Sequence, residues 1–140
     1  MKDTQAQLLV YVAGPYRAGS EWGLVENIRN AESVALLAWS LGCAVICPHK
    51  NTAHFGGAMN LPDEVWLRGD MTMLRRCDAV VLCPGWRRSA GTLAEVAEAE
   101  ALGIPVVEGV EGLKGLVVTM AGGDARPTGA LPTEETGAKA

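Results

Sequence analysis

Residues 8–20 have the sequence LLVYVAGPYRAGS. The apolar run Leu8 to Ala13 is short and unbroken, which is typical of a strand buried on both faces of a parallel sheet. Gly14-Pro15 ends this run. From Glu21 to Leu41 apolar residues recur at three- and four-residue steps, which predicts a helix with Gly42 as its C-cap. The stretch therefore predicts a strand, a glycine-containing turn and a helix.

The same alternation continues along the chain. It predicts one domain over residues 1–120 with an α/β fold, a single doubly wound, flavodoxin- or Rossmann-like parallel sheet of four to five strands with helices on both faces. A C-terminal segment rich in Gly, Pro and Thr is expected to be a disordered tail. The predicted segments are strands at Ala44 to Cys47, Ala79 to Cys83 and Ile104 to Val107, a long loop at 49–63, helices at Glu64 to Arg76 (N-capped by Asp63) and Ser89 to Leu102, a further helix turn or strand within Gly112 to Met120, and the tail at 121–140.

Composition excludes several classes of function. The 140 residues are 49% hydrophobic and 20% charged, which suits one globular domain. The formal charge of −4 divides into +1 for residues 1–94 (8 acidic, 9 basic) and −5 for 95–140 (8 acidic, 3 basic), which argues against binding a nucleic-acid duplex. No apolar run approaches the roughly 20 residues that span a bilayer, so we expect a soluble, cytoplasmic protein.

The cysteines and histidines do not have the spacing of a metal site. The four cysteines are expected to be buried free thiols, because they offer neither the paired two-residue spacing nor the Cys and His cluster of a zinc site. His49 lies at the carboxyl end of the second strand and His54 further along the loop, without further ligands at a familiar spacing. We therefore predict no metal and no cofactor.

Two glycine-bearing turns lie where an open parallel sheet binds its ligand, at the carboxyl ends of the strands. GPYRAGS (14–20) and PGWRRSAGT (84–92) both open helices, so their N–H groups could receive an anion with Arg17, Arg87 or Arg88. Each turn taken alone is equally compatible with a purely structural role. Neither is a dinucleotide fingerprint, and the GKS or GKT of a P-loop is absent.

Two carboxylates are candidates for chemistry. Glu95 lies one turn into its helix, six residues after Ser89, although it could merely favour the helix dipole. Asp70 lies in mid-helix, where aspartate is a poor choice, so its side chain is expected to have a use. Together they would allow one carboxylate to attack carbon while the other handles a proton. Asp78 is most simply a polar residue that satisfies backbone donors at a helix-to-strand turn.

The tryptophans have less specific interpretations. Trp22, Trp39 and Trp66 are expected in the core or in helix contacts. Trp86, in the PGW turn, could stack on a flat base or could simply pack against its neighbours.

Four segments in order, YVAGPYR, CPHKNT, GDMTMLRRCDAVVLCPGW and SAGTLAE, resemble the nucleoside 2-deoxyribosyltransferase-like superfamily. The likeness is greatest to its small phage and bacterial members, and the superfamily includes the deoxynucleoside 5′-monophosphate N-glycosidases. The resemblance covers residues 8–107. GTLAE is also similar to part of the PGG.GT..E motif of cytokinin-activating phosphoribohydrolases, with a different spacing. Both families break an N-glycosidic bond.

The resemblance implies roles for particular residues. Glu95 is implied to attack the anomeric carbon and form a covalent glycosyl-enzyme, Asp70 to contact the sugar or assist protonation of the leaving base, and Tyr11 to orient the nucleophile. Pro15 stands where the monophosphate-cleaving branch has a serine. Relatives assemble as dimers or larger, which implies a homodimer or higher homo-oligomer. The predicted substrate-binding residues are Gly14, Arg17, His49, Ser89, Gly91 and Thr92.

The predicted function is therefore cleavage or transfer of the N-glycosidic bond of a nucleoside or nucleoside 5′-monophosphate through glycosyl-Glu95. The alternative is a non-catalytic nucleotide-binding or sensing domain that uses the same crevice. A structural or accessory protein, whose motifs only shape loops, is a further alternative.

Overall fold

The first strand lies inside a four-stranded parallel sheet in the computed structural model, which describes residues 7–122. The strands are β1 (Leu9–Ala13), β2 (Ala44–Ile46), β3 (Ala79–Leu82) and β4 (Val106–Glu108). Their order in the sheet is β2-β1-β3-β4, and Tyr11 of β1 pairs with Ile46 on one side and Val80 on the other. The predicted doubly wound α/β fold is confirmed.

Helices cover both faces of this sheet. The buried residues of α1 and α5 form one hydrophobic cluster with one face, and those of α3 and α4 form a second cluster with the other. Two short 3₁₀ helices, Ala58–Asn60 and Trp86–Arg88, lie in the connections. The α-helices are α1 (Glu21–Ser40), α2 (Pro48–Asn51), α3 (Asp63–Leu74), α4 (Ala90–Ala101) and α5 (Gly109–Gly122).

Alternation along β1 decides which of its side chains face the α3 and α4 side. Successive strand residues point to opposite faces of a sheet. Val10 and Val12 accordingly pack in the cluster with α1 and α5, whereas Tyr11 and Ala13 pack in the cluster with α3 and α4. The only tyrosine of the strand is therefore directed to the side that carries Asp70 and Glu95.

Several predicted boundaries are wrong. The segment 49–63 is not one continuous loop, because Pro48 begins the short helix α2 and a 3₁₀ turn follows at Ala58–Asn60. Asp63 is not the N-cap of α3; the extended Pro62 is, and Asp63 is the first helical residue. The last strand begins two residues later than predicted, and α5 extends through Gly122. The rest of the predicted tail, 123–140, lies outside the described residues.

Two of the tryptophans expected in the core or in helix contacts are not in the core. Trp22 and Trp39 of α1 are 72% and 50% exposed. The stripe that α1 buries against the sheet is made of small and branched residues, Ile28, Ala31, Val34, Ala35 and Ala38, and positions 22 and 39 fall outside it.

The structural interpretation of Asp78 is confirmed. Its carboxylate accepts a hydrogen bond from the backbone N–H of Leu9 at 2.8 Å, and its own N–H donates to the Leu9 carbonyl at 2.7 Å. Asp78 thus ties the start of β1 to the turn before β3. The four cysteines are free, with Cys47 half-buried and the others buried.

Gly14, directly after β1, is required by close packing against Cys83, directly after β3. A Cβ at this position would lie 2.6 Å from the Cβ and 2.8 Å from the Sγ of Cys83, which is shorter than van der Waals contact allows. We expect Gly14→Ala to lower the free energy of unfolding by about 1 to 3 kcal/mol, as overpacked cores do. Urea denaturation of the two proteins would measure the difference.

Gly19→Ala is the matched control, because no atom lies within 4 Å of a Cβ built at Gly19 in the same turn. Its stability should stay within about 0.5 kcal/mol of the wild type. Equal stabilities for the two alanine variants would show that the contact with Cys83 does not constrain position 14.

Candidate active site

A cleft of about 1500 Å³ opens at the carboxyl edge of the sheet, between the turn after β1, α2, α3 and the start of α4. Strand order reverses between β1 and β3 at this edge, which is where open α/β sheets bind ligands. Tyr11 lies beneath the cleft and reaches it through Glu95. The other predicted site residues all line the cleft: Gly14, Arg17, His49, Asp70, Ser89, Gly91, Thr92 and Glu95.

Tyr11, beneath the cleft, and Glu95, which lines it, form a short side-chain hydrogen bond. The phenol donates a hydrogen bond to Oε2 of Glu95 at 2.6 Å, and Tyr11 is fully buried. Burial is the main reason why the pKa of Glu95 is raised to about 7, with the nearby charge of Asp70 adding to it and the Tyr11 hydrogen bond opposing it. Burial and the Glu95 carboxylate together raise the pKa of Tyr11 far above its ordinary value. Tyr11 thus remains a neutral donor that holds one carboxylate oxygen.

Asp70 supplies a second carboxyl to the cleft from α3. Burial raises its pKa to about 6, and its Oδ1 is buried without a hydrogen-bond partner among the described residues. Because the charge of Asp70 also raises the pKa of Glu95, ionising both carboxyls at once is unfavourable. The pair therefore tends to hold one proton near neutral pH.

His49 is a neutral group on the cleft wall. It is 6% exposed, and its Nε2 lies 2.9 Å from the carbonyl oxygen of Pro15. Since a carbonyl can only accept, Nε2 carries the proton and Nδ1 is an acceptor. That Nδ1 has no hydrogen-bond partner within residues 7–122, and burial lowers the pKa of the ring. His49 fixes the turn after β1 to α2.

Ser89 caps the helix that carries Glu95. Its Oγ accepts from the backbone N–H of Thr92 at 3.1 Å and from the Thr92 hydroxyl at 2.9 Å. Gly91, in the first turn of α4, is exposed, and only the Ser89 Oγ lies within 4.0 Å of a Cβ built there. A ligand can therefore approach the backbone of α4 closely at Gly91, while Ser89 and Thr92 hold the helix start in place.

Arg17, on the opposite side of the cleft, is engaged in an ion pair that the sequence did not predict. Its guanidinium donates to the carboxylate of Asp63 at 3.0 Å. The backbone of this turn is held separately, because the side-chain amide of Asn27 donates to the carbonyls of Tyr16 and Arg17 at 3.0 and 3.2 Å. Asp63 thus links the start of α3 to the turn after β1.

Sequence reasoning gave no site role to Trp66, which also lines the cleft. It lies four residues before Asp70 on α3, its ring meets Phe55 edge-on at 5.5 Å, and its buried Nε1 has no hydrogen-bond partner among the described residues. The four-residue spacing from Asp70 was the available signal. Trp86 lies outside the cleft lining, with Arg87 stacked on its ring at 4.4 Å. Packing is therefore the role that the structure shows for Trp86.

Two absences apply to the described part of the chain. Residues 7–122 contain no group of three or more His, Cys, Asp or Glu side chains placed to hold a metal ion. Over the same span, no helix has both the length and the apolar character needed to cross a membrane.

Comparisons with known proteins give a family and a fold. The family model described as a domain of unknown function (DUF4406) matches residues 8–108. Among curated proteins, none matches the chain. A 2-deoxyribosyltransferase from the psychrotolerant bacterium Bacillus psychrosaccharolyticus, described as a biocatalyst for nucleoside synthesis, is 18% identical, with a TM-score of 0.52 over 71% of this chain and 70% of that one.

A second solved structure, a conserved protein from Enterococcus faecalis V583, is 25% identical. Its TM-score is 0.54, over 74% of this chain and 63% of that one, so the chain spans less than two thirds of that protein. The resemblance to the nucleoside 2-deoxyribosyltransferase-like superfamily is confirmed at the level of the fold.

Proposed function

The chain belongs to the DUF4406 family, and from its site we propose that it breaks or transfers the N-glycosidic bond of a nucleoside or nucleoside 5′-monophosphate through a glycosyl intermediate on Glu95. The observation that carries the proposal is the 2.6 Å hydrogen bond from the buried Tyr11 phenol to Glu95, in a cleft that Asp70 also lines. A carboxylate oriented in this way, with a second carboxyl close by, is the arrangement that covalent glycosidic chemistry needs. The shared fold with a 2-deoxyribosyltransferase supports the same reaction class.

The first step is attack by the ionised carboxylate of Glu95 on C1′ of the sugar. The bond from C1′ to the Glu95 oxygen forms as the bond from C1′ to the base nitrogen breaks. The electron pair of the broken bond goes to that nitrogen, and the base takes a proton from the carboxylic acid of Asp70. Tyr11 keeps the free oxygen of Glu95 hydrogen-bonded, which fixes the direction of attack.

The second step releases the sugar. Water or a second base attacks C1′ and gives up a proton to the Asp70 carboxylate, and the electron pair of the C1′–oxygen bond returns to Glu95. Two displacements at the same carbon retain its configuration. Water gives hydrolysis, and an acceptor base gives transfer.

The test is a chromatographic assay for free base. The protein is incubated with each common nucleoside and 5′-monophosphate, ribo and deoxy, with and without an acceptor base. Release of base supports the reaction class, and dependence on the acceptor separates transfer from hydrolysis. No base from any substrate, combined with a ligand-dependent rise in melting temperature, would favour the binding or sensing domain instead. Neither base release nor such a rise would favour a structural role.

The pH dependence of kcat/KM should be bell-shaped. The active form has Glu95 ionised, although its pKa is raised to about 7, and Asp70 protonated, although its pKa is raised only to about 6. This form is the less populated of the two singly protonated states, so the rate rises near pH 6, where the pair loses its first proton, and falls near pH 7, where it loses the second. With the two carboxyls sharing one proton, the maximum is expected between these values. A rate that rises steadily from pH 5 to 9 would contradict this pairing.

Tyr11→Phe tests the descending limb of the profile. Removing a hydrogen bond that favours the ionised Glu95 raises the pKa of Glu95 further, so the pair loses its second proton at higher pH and the descending limb moves to higher pH. We expect kcat to fall about tenfold or more, because hydrogen bonds to charged groups are among the strong ones. An unshifted limb would show that Tyr11 packs without orienting Glu95.

A further inference from the structure

We infer that this cleft favours a nucleoside with a free 5′-hydroxyl over its 5′-monophosphate. Asp63 causes this preference, because its carboxylate pairs with Arg17, the cation of the turn after β1. The inference rests on the function proposed above and adds one placement, the 5′ end of the sugar beside the turn after β1, where Arg17 lines the cleft. It goes further, because it names the substrate class and a residue that selects it. The argument uses the ion pair and the local chemistry of the turn.

The ion pair spans the mouth of the cleft. The guanidinium of Arg17 and the carboxylate of Asp63 are 3.0 Å apart, and both residues line the cleft. Their side chains are 71% and 48% exposed, so a ligand entering the cleft can reach both. Any anion that binds Arg17 must therefore displace Asp63 or lie beside its negative charge.

The backbones on both sides of the pair are fixed. Asn27 holds the carbonyls of Tyr16 and Arg17, and Asp63 is the first residue of α3, directly after Pro62. Side-chain rotation alone can separate the pair. The Asp63 carboxylate therefore stays within a few ångströms of an anion bound at this turn. A phosphate monoester carries a charge of about −1.5 to −2 at pH 7 and meets repulsion there that a hydroxyl does not.

The rest of the turn offers a phosphate few donors. Pro15 has no backbone N–H, and its carbonyl is directed at His49. The hydroxyl of Ser20 accepts from the N–H of Gly23 and so occupies one free donor at the start of α1. Glu21 adds a negative charge in the first turn of the same helix. Helix starts bind anions through free backbone N–H groups and the positive end of the helix dipole, and Ser20 and Glu21 reduce both contributions here.

The test compares binding of each 2′-deoxynucleoside with that of its 5′-monophosphate by isothermal titration calorimetry. It uses the full chain carrying Glu95→Gln, so that turnover does not interfere. With Arg17 and Asp63 unchanged, this Glu95→Gln protein should bind the nucleoside more tightly than the monophosphate. Adding Asp63→Asn, which keeps the shape and removes the charge, should improve monophosphate affinity relative to nucleoside by about tenfold. Adding Arg17→Gln to Asp63→Asn should abolish that gain.

Glu108→Gln is the matched control. Glu108 pairs with Arg87 at 2.9 Å with exposures of 57% and 70%, closely similar to the Asp63 pair, and neither residue lines the cleft. This substitution should leave the affinity ratio unchanged within about twofold. A similar gain from both variants would mean that overall charge, rather than Asp63, sets the preference, and would overturn the inference.

Two further results would overturn it. One is tighter binding of the monophosphate when Arg17 and Asp63 are unchanged. Arg88, which lines the cleft and has no ion pair among the described residues, would then be the cation that binds the phosphate. The other is an affinity ratio that Asp63→Asn does not change. If the unsubstituted chain releases base, either result removes this inference and leaves the proposed reaction standing. If neither ligand binds and the unsubstituted chain releases no base, the result contradicts the proposed function, and with it this inference.

Discussion

Replacing Glu95 by glutamine is expected to abolish base release, with kcat/KM falling by about 10⁴-fold or more. The amide has the size of the carboxylate and can still accept a hydrogen bond from Tyr11, so the cleft should keep its shape. An amide oxygen is a poor nucleophile, however, and cannot form the glycosyl ester. The measurement is initial rates of base release from the best substrate of the assay, with melting temperatures recorded for both proteins.

Glu100→Gln is the control for this experiment. Glu100 is an exposed glutamate on the same helix that does not line the cleft, and its replacement should leave the rate unchanged. A 2-fluoro-2-deoxynucleoside, which slows release of the sugar, should leave a mass increase on the peptide that contains Glu95. Full activity of Glu95→Gln, or an adduct on another residue, would exclude Glu95 as the nucleophile.

Asp70→Asn has the second largest expected effect. Loss of a general acid lowers the reaction rate by about 10² to 10⁴-fold, and we expect the rate with ordinary nucleosides to fall within this range. A 7-methylpurine nucleoside should be much less affected, because its base is already positively charged and leaves without a proton. The measurement is the loss of activity with an ordinary nucleoside divided by the loss with the 7-methylpurine nucleoside. Because the same Asp70→Asn protein is assayed with both substrates, a folding defect would lower both activities equally.

The same substitution has a consequence for pH. Without a titrating group at position 70 the descending limb should disappear, and the remaining ascending limb should report a Glu95 pKa below about 7, because the charge of Asp70 is one cause of the raised value. An equal loss for both substrates would assign Asp70 to sugar binding instead of protonation. A descending limb that persists would show that Asp70 is not the group whose protonation the reaction needs.

The fold could be predicted from periodicity because its elements are locally consistent. The apolar run ending at Ala13 and the helical stripe before Gly42 each agree with their final structure. The errors lie where local signals compete. Asp63 has the residue type of an N-cap, yet the extended Pro62 takes that position and the Asp63 carboxylate pairs with Arg17, a long-range contact that no local pattern encodes.

The candidate site was also predicted only in part from the sequence. Sequence order and resemblance pointed to Tyr11, Asp70 and Glu95, and the cleft places Asp70 and Glu95 on its wall with Tyr11 in contact with Glu95. Their catalytic roles stay predictions. The sequence could not predict that the buried Nε1–H of Trp66 lacks a hydrogen-bond partner among the described residues. Whether a buried donor is hydrogen-bonded depends on packing between elements that are distant in sequence.

The α3 helix has a further consequence for how the site holds together. Tyr11 lies in the central, fully buried part of the sheet, whereas α3 is exposed along most of its length and buries only Leu74. Elements with few buried contacts exchange their amide hydrogens through local opening, while core strands wait for global unfolding. Tyr11 is therefore expected to belong to the slowest-exchanging unit and Asp70 to a faster one. Local opening of α3 would move Asp70 away from Glu95 while the sheet stays folded.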